Sequence, residues 1–421
     1  MTALWHPFAD MHAVEGRELV ITRGEGVHVW DEHGTRYLDG SSSLWFANVG
    51  HGNREIAEAI SAQLAQLEAF HIFGDFANRP ALALAERLAS LAPQLESKVF
   101  LTSGGGDSIE TAAKLARLYH SARGEPARQH LISRTNGYHG THGIGTSILG
   151  LPFKEGFGSL VDQTSQVEWD SLEALDREIG RLEPETVAAF VFEPVIGSGG
   201  VLVPPPGYLA AAAELCRSNG ILTIADVVIS GFGRLGSWYG VERFELAPDL
   251  IAFAKGVTSG YLPLGGVLVA PDVAAPFWTA SGTSFSHGAT YSGHATCCAA
   301  ALANLAILER DGLVFRARSL EAEFHARIRE LEAHPLVAEV RGGLGLMAAV
   351  VLDPALLERH PGIATRLWKH TRDAGLLTRG LHDGVAVAPP LIIADEHVEQ
   401  VLQSLADGLD RLSRELSVSS P

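Results

Sequence analysis

Apolar and polar positions alternate over short stretches at the start of the chain. Glu18–Thr22 and Gly26–Trp30 are rich in β-formers, Asp31-Glu-His-Gly34 spells a turn, and Arg36–Leu38 follows, which predicts a small meander. Residues 53–71 and 79–92 carry apolar side chains at helical spacing, with Ile56, Ile60, Leu64 and Leu67 on one stripe. From 99 to 270 the texture alternates between strand and helix. Val99–Thr102, Leu131–Ser133, Val187–Phe192, Ile221–Ala225, Leu250–Ala254 and Gly266–Ala270 are continuous apolar runs. Such runs suit strands buried on both faces, as in a parallel sheet covered by helices. Gly207–Asn219 reads as an alanine-rich helix stopped by Gly220.

Beyond about residue 310 the pattern changes. A charged amphipathic helix spans 318–333, and Val340–Leu352 is strand-like around Gly342, Gly343 and Gly345. A helix follows over 363–374, then strand and turn over Leu376–Ile393. The last helix starts near Asp395 and puts Val398, Val401, Leu402, Leu405, Leu409 and Leu412 on one face. The tail Ser417–Pro421 is expected to fray. The pattern predicts an α/β chain with a large domain over 55–310 and a smaller α/β domain over 311–421. The N-terminal segment 1–54 is expected to join the smaller one.

Composition narrows the function. Hydrophobic residues make up 46% of the 421 positions and charged ones 19%, too apolar for a disordered chain. Lys and Arg number 32 against 49 Asp and Glu, a formal charge of −17. That surface repels phosphate backbones, so neither nucleic acid nor an anionic membrane is an expected partner. No apolar run approaches the ~20 residues of a membrane span. Met1–Arg17 lacks a basic flank before an apolar stretch and does not read as a secretory signal. Three cysteines, two of them adjacent (Cys297, Cys298), make no disulfide framework and point to a reduced, cytoplasmic protein with buried thiols. Eighteen histidines look metal-rich, but His139 and His142 have no third ligand at metal spacing, so no metal is expected.

Three features bear on chemistry. Ser103-Gly104-Gly105-Gly106-Asp107 lies between a strand and a helix start. It is a tight turn or an anion cup, since unpaired N–H groups and the helix dipole attract phosphate there. It is neither a Walker loop nor Gly-x-Gly-x-x-Gly, because Ile109 takes the last glycine's place. Asp226 ends the run from Ile221, where open parallel sheets bind ligands, although a helix cap or turn would also use an aspartate. Lys255 ends the run from Leu250. Desolvation there would lower its pKa and free the amine as a nucleophile. An anion cup, an amine and a carboxylate together suit a cofactor with a phosphate, an aldehyde and a pyridine nitrogen, namely pyridoxal phosphate.

Further stretches complete a recognisable set: Trp5-His-Pro-Phe8, Leu44-Trp45, Asn48-Val-Gly-His-Gly52, Asn136-Gly-Tyr-His-Gly140, Glu193-Pro-Val, and Asp226 through Gly231-Phe-Gly-Arg234. Ala254-Lys-Gly256, Leu262-Pro-Leu-Gly-Gly266, His287 through His294, Gly375–Arg379 and Pro389-Pro-Leu391 extend it. In order and spacing the chain resembles the class III pyridoxal-phosphate-dependent aminotransferases of fold type I, close to the ω-amino acid and amine transaminases. The resemblance implies that Lys255 forms a Schiff base with the cofactor and shuttles a proton. It implies that Asp226 pairs with the pyridine nitrogen, that Tyr138 stacks on the ring, that Val228 packs its other face, and that Glu193 belongs to the cofactor site. Gly105 and Gly106 would bind the phosphate through N–H groups, with Thr290 of a neighbouring subunit completing the cup. That implies a homodimer and leaves open its pairing into a tetramer. Trp45 would line the substrate pocket, and Arg379 would receive the acceptor's carboxylate and withdraw for an amine donor. The implied reaction is ping-pong transfer from a primary amine or ω-amino acid to pyruvate or 2-oxoglutarate.

The chain departs from that pattern in four places. Gly106 stands where the family often has a hydroxyl, Val227 where Glu is common, and Ala289 where amine transaminases commonly have an aromatic residue. Ser198 stands where the ornithine-type subgroup has a glutamate that masks the arginine, so Arg379 is expected to be unmasked. Within the class, Trp5-His-Pro-Phe8 also resembles the aminotransferase that acts on a keto acid of the biotin route, 8-amino-7-oxononanoate, with an S-adenosylmethionine donor. Outside it, a dinucleotide-binding oxidoreductase shares the texture but would need the Gly-x-Gly-x-x-Gly turn.

Overall fold

The computed structural model describes residues 3–279 and 283–418. Three sheets organise them. The N-terminal meander forms β1 (Ile21–Glu25), β2 (His28–Asp31) and β3 (Arg36–Asp39). The middle of the chain supplies β4 (Lys98–Thr102), β5 (His130–Arg134), β6 (Thr164–Val167), β7 (Val187–Phe192), β8 (Leu222–Asp226), β9 (Leu250–Phe253) and β10 (Gly265–Val269). The C-terminal part adds β11 (Val337–Gly342), β12 (Ala348–Leu352), β13 (Leu376–Leu377), β14 (Arg379–Gly380) and β15 (Gly384–Val387).

The central sheet runs β4-β10-β9-β8-β7-β5-β6. The run β6-β5-β7-β8-β9 is parallel, whereas β10 is antiparallel to both β9 and β4. Successive residues feed opposite layers, as a pleated strand must. Phe190, Phe192, Ala225, Ile251 and Phe253 join one core, and Ala189, Val191, Ile224 and Ala252 the other. The second core is closed by the helix Gly105–Ala122 through Ile109, Ala112, Ala113 and Ala116, the stripe its spacing predicts.

The terminal sheets tie distant chain segments together. β13 pairs in parallel with β3, Leu376 opposite Leu38 and Leu377 opposite Asp39, so the meander is extended by a C-terminal strand. The third sheet runs β11-β12-β15-β14. The buried Arg234 holds these parts to the centre. It donates to the carbonyls of Leu346 (3.0 Å) and Pro389 (2.6 Å), to Ser42 Oγ (3.0 Å) and to Asn48 Oδ1 (3.0 Å). Burial pulls its guanidinium down to about 9, against the opposing pull of Asp39.

Several boundaries differ from the sequence reading. The helix expected over 53–71 ends at Gln66, and the one expected over 318–333 begins at Leu313 and tightens into a 3-10 turn at Glu330–Ala333. Val340–Leu352 is two antiparallel strands turned by glycines, with Gly342 and Gly345 at φ +132° and +62°. β6 escaped notice because Thr-Ser-Gln-Val is a polar edge strand. The helix Ala295–Arg310 is apolar on most sides and gives little periodic signal. The last helix runs from Asp395 to Val418, and residues 419–421 of the expected frayed tail lie outside the described residues. All three cysteines are buried and unpaired, with Cys216 pushed up to about 12 by burial. No described helix is long and apolar enough to cross a membrane.

Candidate active site

The carboxyl ends of β8 and β9 carry the two residues of greatest chemical interest. Asp226 is the last residue of β8 and pairs in register with Ala252 of β9, three residues before Lys255. Lys255 sits at φ +48°, a left-handed conformation that a side chain with a Cβ rarely adopts. The surrounding contacts hold it there. Asn304 donates to the carbonyls of Gly256 and Val257, both at 2.9 Å, and accepts from Ser259 Oγ at 2.6 Å. A Cβ on Gly256 would meet Asn48 Nδ2 at 2.6 Å, so only glycine fits after the lysine. Ser108 Oγ donates to the Phe253 carbonyl at 3.0 Å and ties the glycine-rich helix start to the end of β9.

Asp226 is 4% exposed, and each of its oxygens has one partner, which leaves lone pairs for a ligand. Its Oδ2 lies 2.8 Å from His139 Nδ1, and Oδ1 accepts the Val228 N–H at 3.0 Å. A carboxylate only accepts, so His139 Nδ1 carries the proton in that contact. Glu193, also buried, accepts the N–H groups of Tyr138 (2.9 Å) and Gly197 (3.0 Å), which fixes the loop that presents Tyr138 and His139. Burial, reinforced by Asp226, raises the Glu193 carboxyl above its usual range.

The charged groups act on one another. Burial lowers the Lys255 ammonium, Asp226 and Glu193 pull the other way, and Arg379 adds to the lowering. Burial raises the Tyr138 hydroxyl, while Arg379 draws it down. Arg379 keeps an exposed face, yet crowding by protein atoms lowers its guanidinium. Among the described residues Arg379 forms no ion pair, so its charge is available to a ligand.

The glycine cluster is the N-terminus of the helix Gly105–Ala122, with Gly104 as an extended cap at φ 173°. Ser108 is the first residue to bond back, to the Gly104 carbonyl at 3.0 Å, so the N–H groups before it face outward. A Cβ on Gly105 would meet Val228 Cγ1 at 3.0 Å, and one on Gly106 would meet the His142 ring at 3.0–3.2 Å. One on Gly140 would come within 3.0 Å of Gly106 Cα. Turns after β5 and β8 thus close on the helix end at backbone distance. An N–H cup, a half-buried amine and a buried, oriented carboxylate fit the phosphate, aldehyde and ring nitrogen of pyridoxal phosphate.

Other expected residues lie as follows. Trp45, expected in the pocket wall, is only 2% exposed and packs in a buried cluster with Val195, Ile229 and Ala388. Thr290 is exposed on a turn closed by the Ser292 N–H on the Ala289 carbonyl (2.9 Å) and the Ala289 N–H on Ser292 Oγ (3.1 Å). Val227 is fully buried in the main core, which explains an apolar residue there: an ionised glutamate would be desolvated. The sequence reading missed His139, Asn304, Asn48 and Ser108 as positioning residues. His139, beside Tyr138, and Asn48, at the head of Asn48-Val-Gly-His-Gly52, had a legible signal in those motifs. Among the described residues, no three His, Cys, Asp or Glu side chains group to hold a metal.

This mixed, mainly parallel sheet with a lysine and an aspartate at its carboxyl edge defines a fold type I pyridoxal-phosphate enzyme. The aminotransferase class-III family profile matches residues 11–409, and the chain belongs to that family. It is 34% identical to the putrescine–pyruvate aminotransferase of Pseudomonas aeruginosa, over 96% of this chain and 93% of that protein. It is 36% identical to the diaminobutyrate–2-oxoglutarate transaminase of Halomonas elongata, over 94% and 91%. The (S)-enantioselective ω-transaminase of Thermomicrobium roseum superposes with a TM-score of 0.92 at 38% identity, covering 97% of this chain and 96% of that one. A pyridoxal-phosphate-bound amine transaminase from an uncultivated Pseudomonas species gives 0.93 at 36%, covering 98% and 99%. The protein is an aminotransferase that moves an amino group between an amine and a keto acid, and its cofactor is pyridoxal phosphate.

Proposed function

We propose that the donor is a primary amine or ω-amino acid, the acceptor a keto acid such as pyruvate or 2-oxoglutarate, and that Lys255 carries the chemistry. The observation behind this reading is that Asp226 and Arg379 both act electrostatically on Lys255, while Arg379 has no ion pair among the described residues. Pyridoxal phosphate, when bound, supplies an aldehyde that captures amino groups and a ring that takes up electrons. Gly105 and Gly106 would hold its phosphate, Asp226 its ring nitrogen, and Tyr138 and Val228 its two faces. Glu193 would act one step back by fixing the Tyr138 backbone. His139 keeps Asp226 aimed.

Lys255 Nζ moves the proton. Its lowered pKa keeps a larger share of the amine neutral near pH 7, ready to take a proton from the carbon bearing the donor nitrogen and to return it. Arg379 binds the carboxylate of the keto acid and swings out when an uncharged or cationic donor enters. Trp45 serves as the back wall behind Leu44, which is 46% exposed. The donor class is supported by relatives whose names specify a diamine or an ω-amino acid.

Thr290 would complete the phosphate cup of a second copy. An exposed aromatic patch beside it supports a homodimer: Tyr291 is 66% exposed and Phe73 48%, and Gly288 lies against Phe73. Buried, unpaired thiols support a cytoplasmic location. A screen of putrescine, 4-aminobutyrate, 1-phenylethylamine and S-adenosylmethionine against pyruvate and 2-oxoglutarate tests the reading. Each amine is scored by its effect on the cofactor's visible band. The first three are expected to shift the band. A shift by S-adenosylmethionine alone would assign the protein to the biotin-type reaction instead.

A further inference from the structure

The glycine at position 106 has a counterpart directly against it. The His142 ring lies where a side chain on residue 106 would start: Cε1, Nδ1 and Nε2 stand 3.0, 3.1 and 3.2 Å from the Cβ position. The ring is therefore against the first turn of the helix Gly105–Ala122, at the outward-facing N–H groups. Its Nδ1 faces Asp107 Oδ1 at 3.5 Å, which leaves Nε2 for another partner. The ring is half exposed and lines a cavity of 280 Å³ with Thr102, Asp107, Thr111 and His287, so it reaches the cup without disturbing the core.

We infer that His142 is a phosphate-binding residue of the cofactor site, its imidazole replacing the side chain that Gly106 lacks. The inference rests on the cup assigned above to Gly105 and Gly106. Chemistry favours it: the helix end supplies N–H donors, but Asp107 in the same turn is acidic, and a phosphate dianion gains from a histidine beside that carboxylate. Sterics couple positions 106 and 142. With the ring in place, a side chain on residue 106 presses on it and the ring must give by a few tenths of an ångström; the three atoms nearest to that Cβ all belong to the ring.

Equilibrium titration of the apoprotein with pyridoxal phosphate, and in parallel with pyridoxal, tests this without reference to turnover. His142→Ala is expected to weaken pyridoxal phosphate binding about 10-fold, the scale of one hydrogen bond to a charged group, and to leave pyridoxal binding unchanged. Gly106→Ser alone should also weaken the phosphate form, whereas combined with His142→Ala it should restore affinity to within about 3-fold of the natural protein. The apoprotein's unfolding midpoint controls for folding and should be unmoved by His142→Ala. Binding within two-fold of the natural protein in His142→Ala, or an equal loss for pyridoxal, overturns the role. A natural protein that fails to bind pyridoxal phosphate at all would overturn the cup assignment with it.

Discussion

The two ends of the central sheet treat an aspartate in opposite ways. At the amino ends of β8 and β9, Asp249 accepts the Thr223 N–H and hydroxyl, both at 2.7 Å. Nearby, His120 bonds the Ala188 carbonyl with Nε2 (2.9 Å) and faces Glu125 with Nδ1 (3.4 Å). These groups line a cavity of 490 Å³ with Arg123, Glu214 and Arg217, larger than the one beside His142. At the carboxyl ends, Asp226 faces a lysine held in a rare backbone conformation, with burial moving the pKa of Lys255, Tyr138 and Glu193. Cavity size does not separate the two ends. The difference lies in unspent chemistry: the amino end pairs its polar groups with one another, whereas the carboxyl end keeps an amine and a guanidinium for a ligand.

Matched substitutions sharpen that contrast. Asp226→Asn keeps the shape but removes the charge proposed to face the ring nitrogen, and should lower kcat by about 10²–10³-fold with little change in unfolding midpoint. Next in size, Arg379→Leu should raise KM for the keto acid or lower its kcat/KM by roughly 10–100-fold while sparing the amine half-reaction, measured by single-turnover kinetics. The same change moves a titration. Arg379 helps to lower the Lys255 pKa, so its removal shifts the pH dependence of Lys255 labelling in the apoprotein upward. Because the folded pKa lies below the ordinary value, the unfolded chain holds more protons in between, and the apoprotein gains stability as pH rises toward the usual lysine range. The smallest effect on activity belongs to Asp249→Asn. Turnover should stay within about two-fold, and stability should fall by about 1–3 kcal/mol in denaturant unfolding as the Thr223 N–H and hydroxyl exchange a charged acceptor for a neutral amide. A large loss of turnover there would erase the distinction between the two ends.

The sheet was readable because strands covered on both faces, such as Val187–Phe192, leave unbroken apolar runs. Their direction was not: the reversal of β10 depends on the chain's route from Lys255 through Pro263, which hydropathy does not encode. Asp226 and Lys255 stood out because a charge ending such a run is unusual. Asn304 and Ser108 did not, because each reaches its carbonyl across 48 and 145 residues of sequence, and nothing local marks a polar side chain as the support of a distant turn. Trp45 shows the converse. Its motif suggests a pocket wall, yet nothing local marks the left-handed backbone at φ +68° or the packing of the indole with Val195, Ile229 and Ala388 behind the exposed Leu44.

Residue 255 is proposed as the amine that joins the cofactor. Borohydride reduction of the protein loaded with pyridoxal phosphate, followed by peptide mapping, tests it directly, because the chain has only five lysines. A pyridoxyl group is expected on Lys255 alone. Stoichiometric label on Lys98, Lys114, Lys154 or Lys369, or none on any lysine, would contradict it.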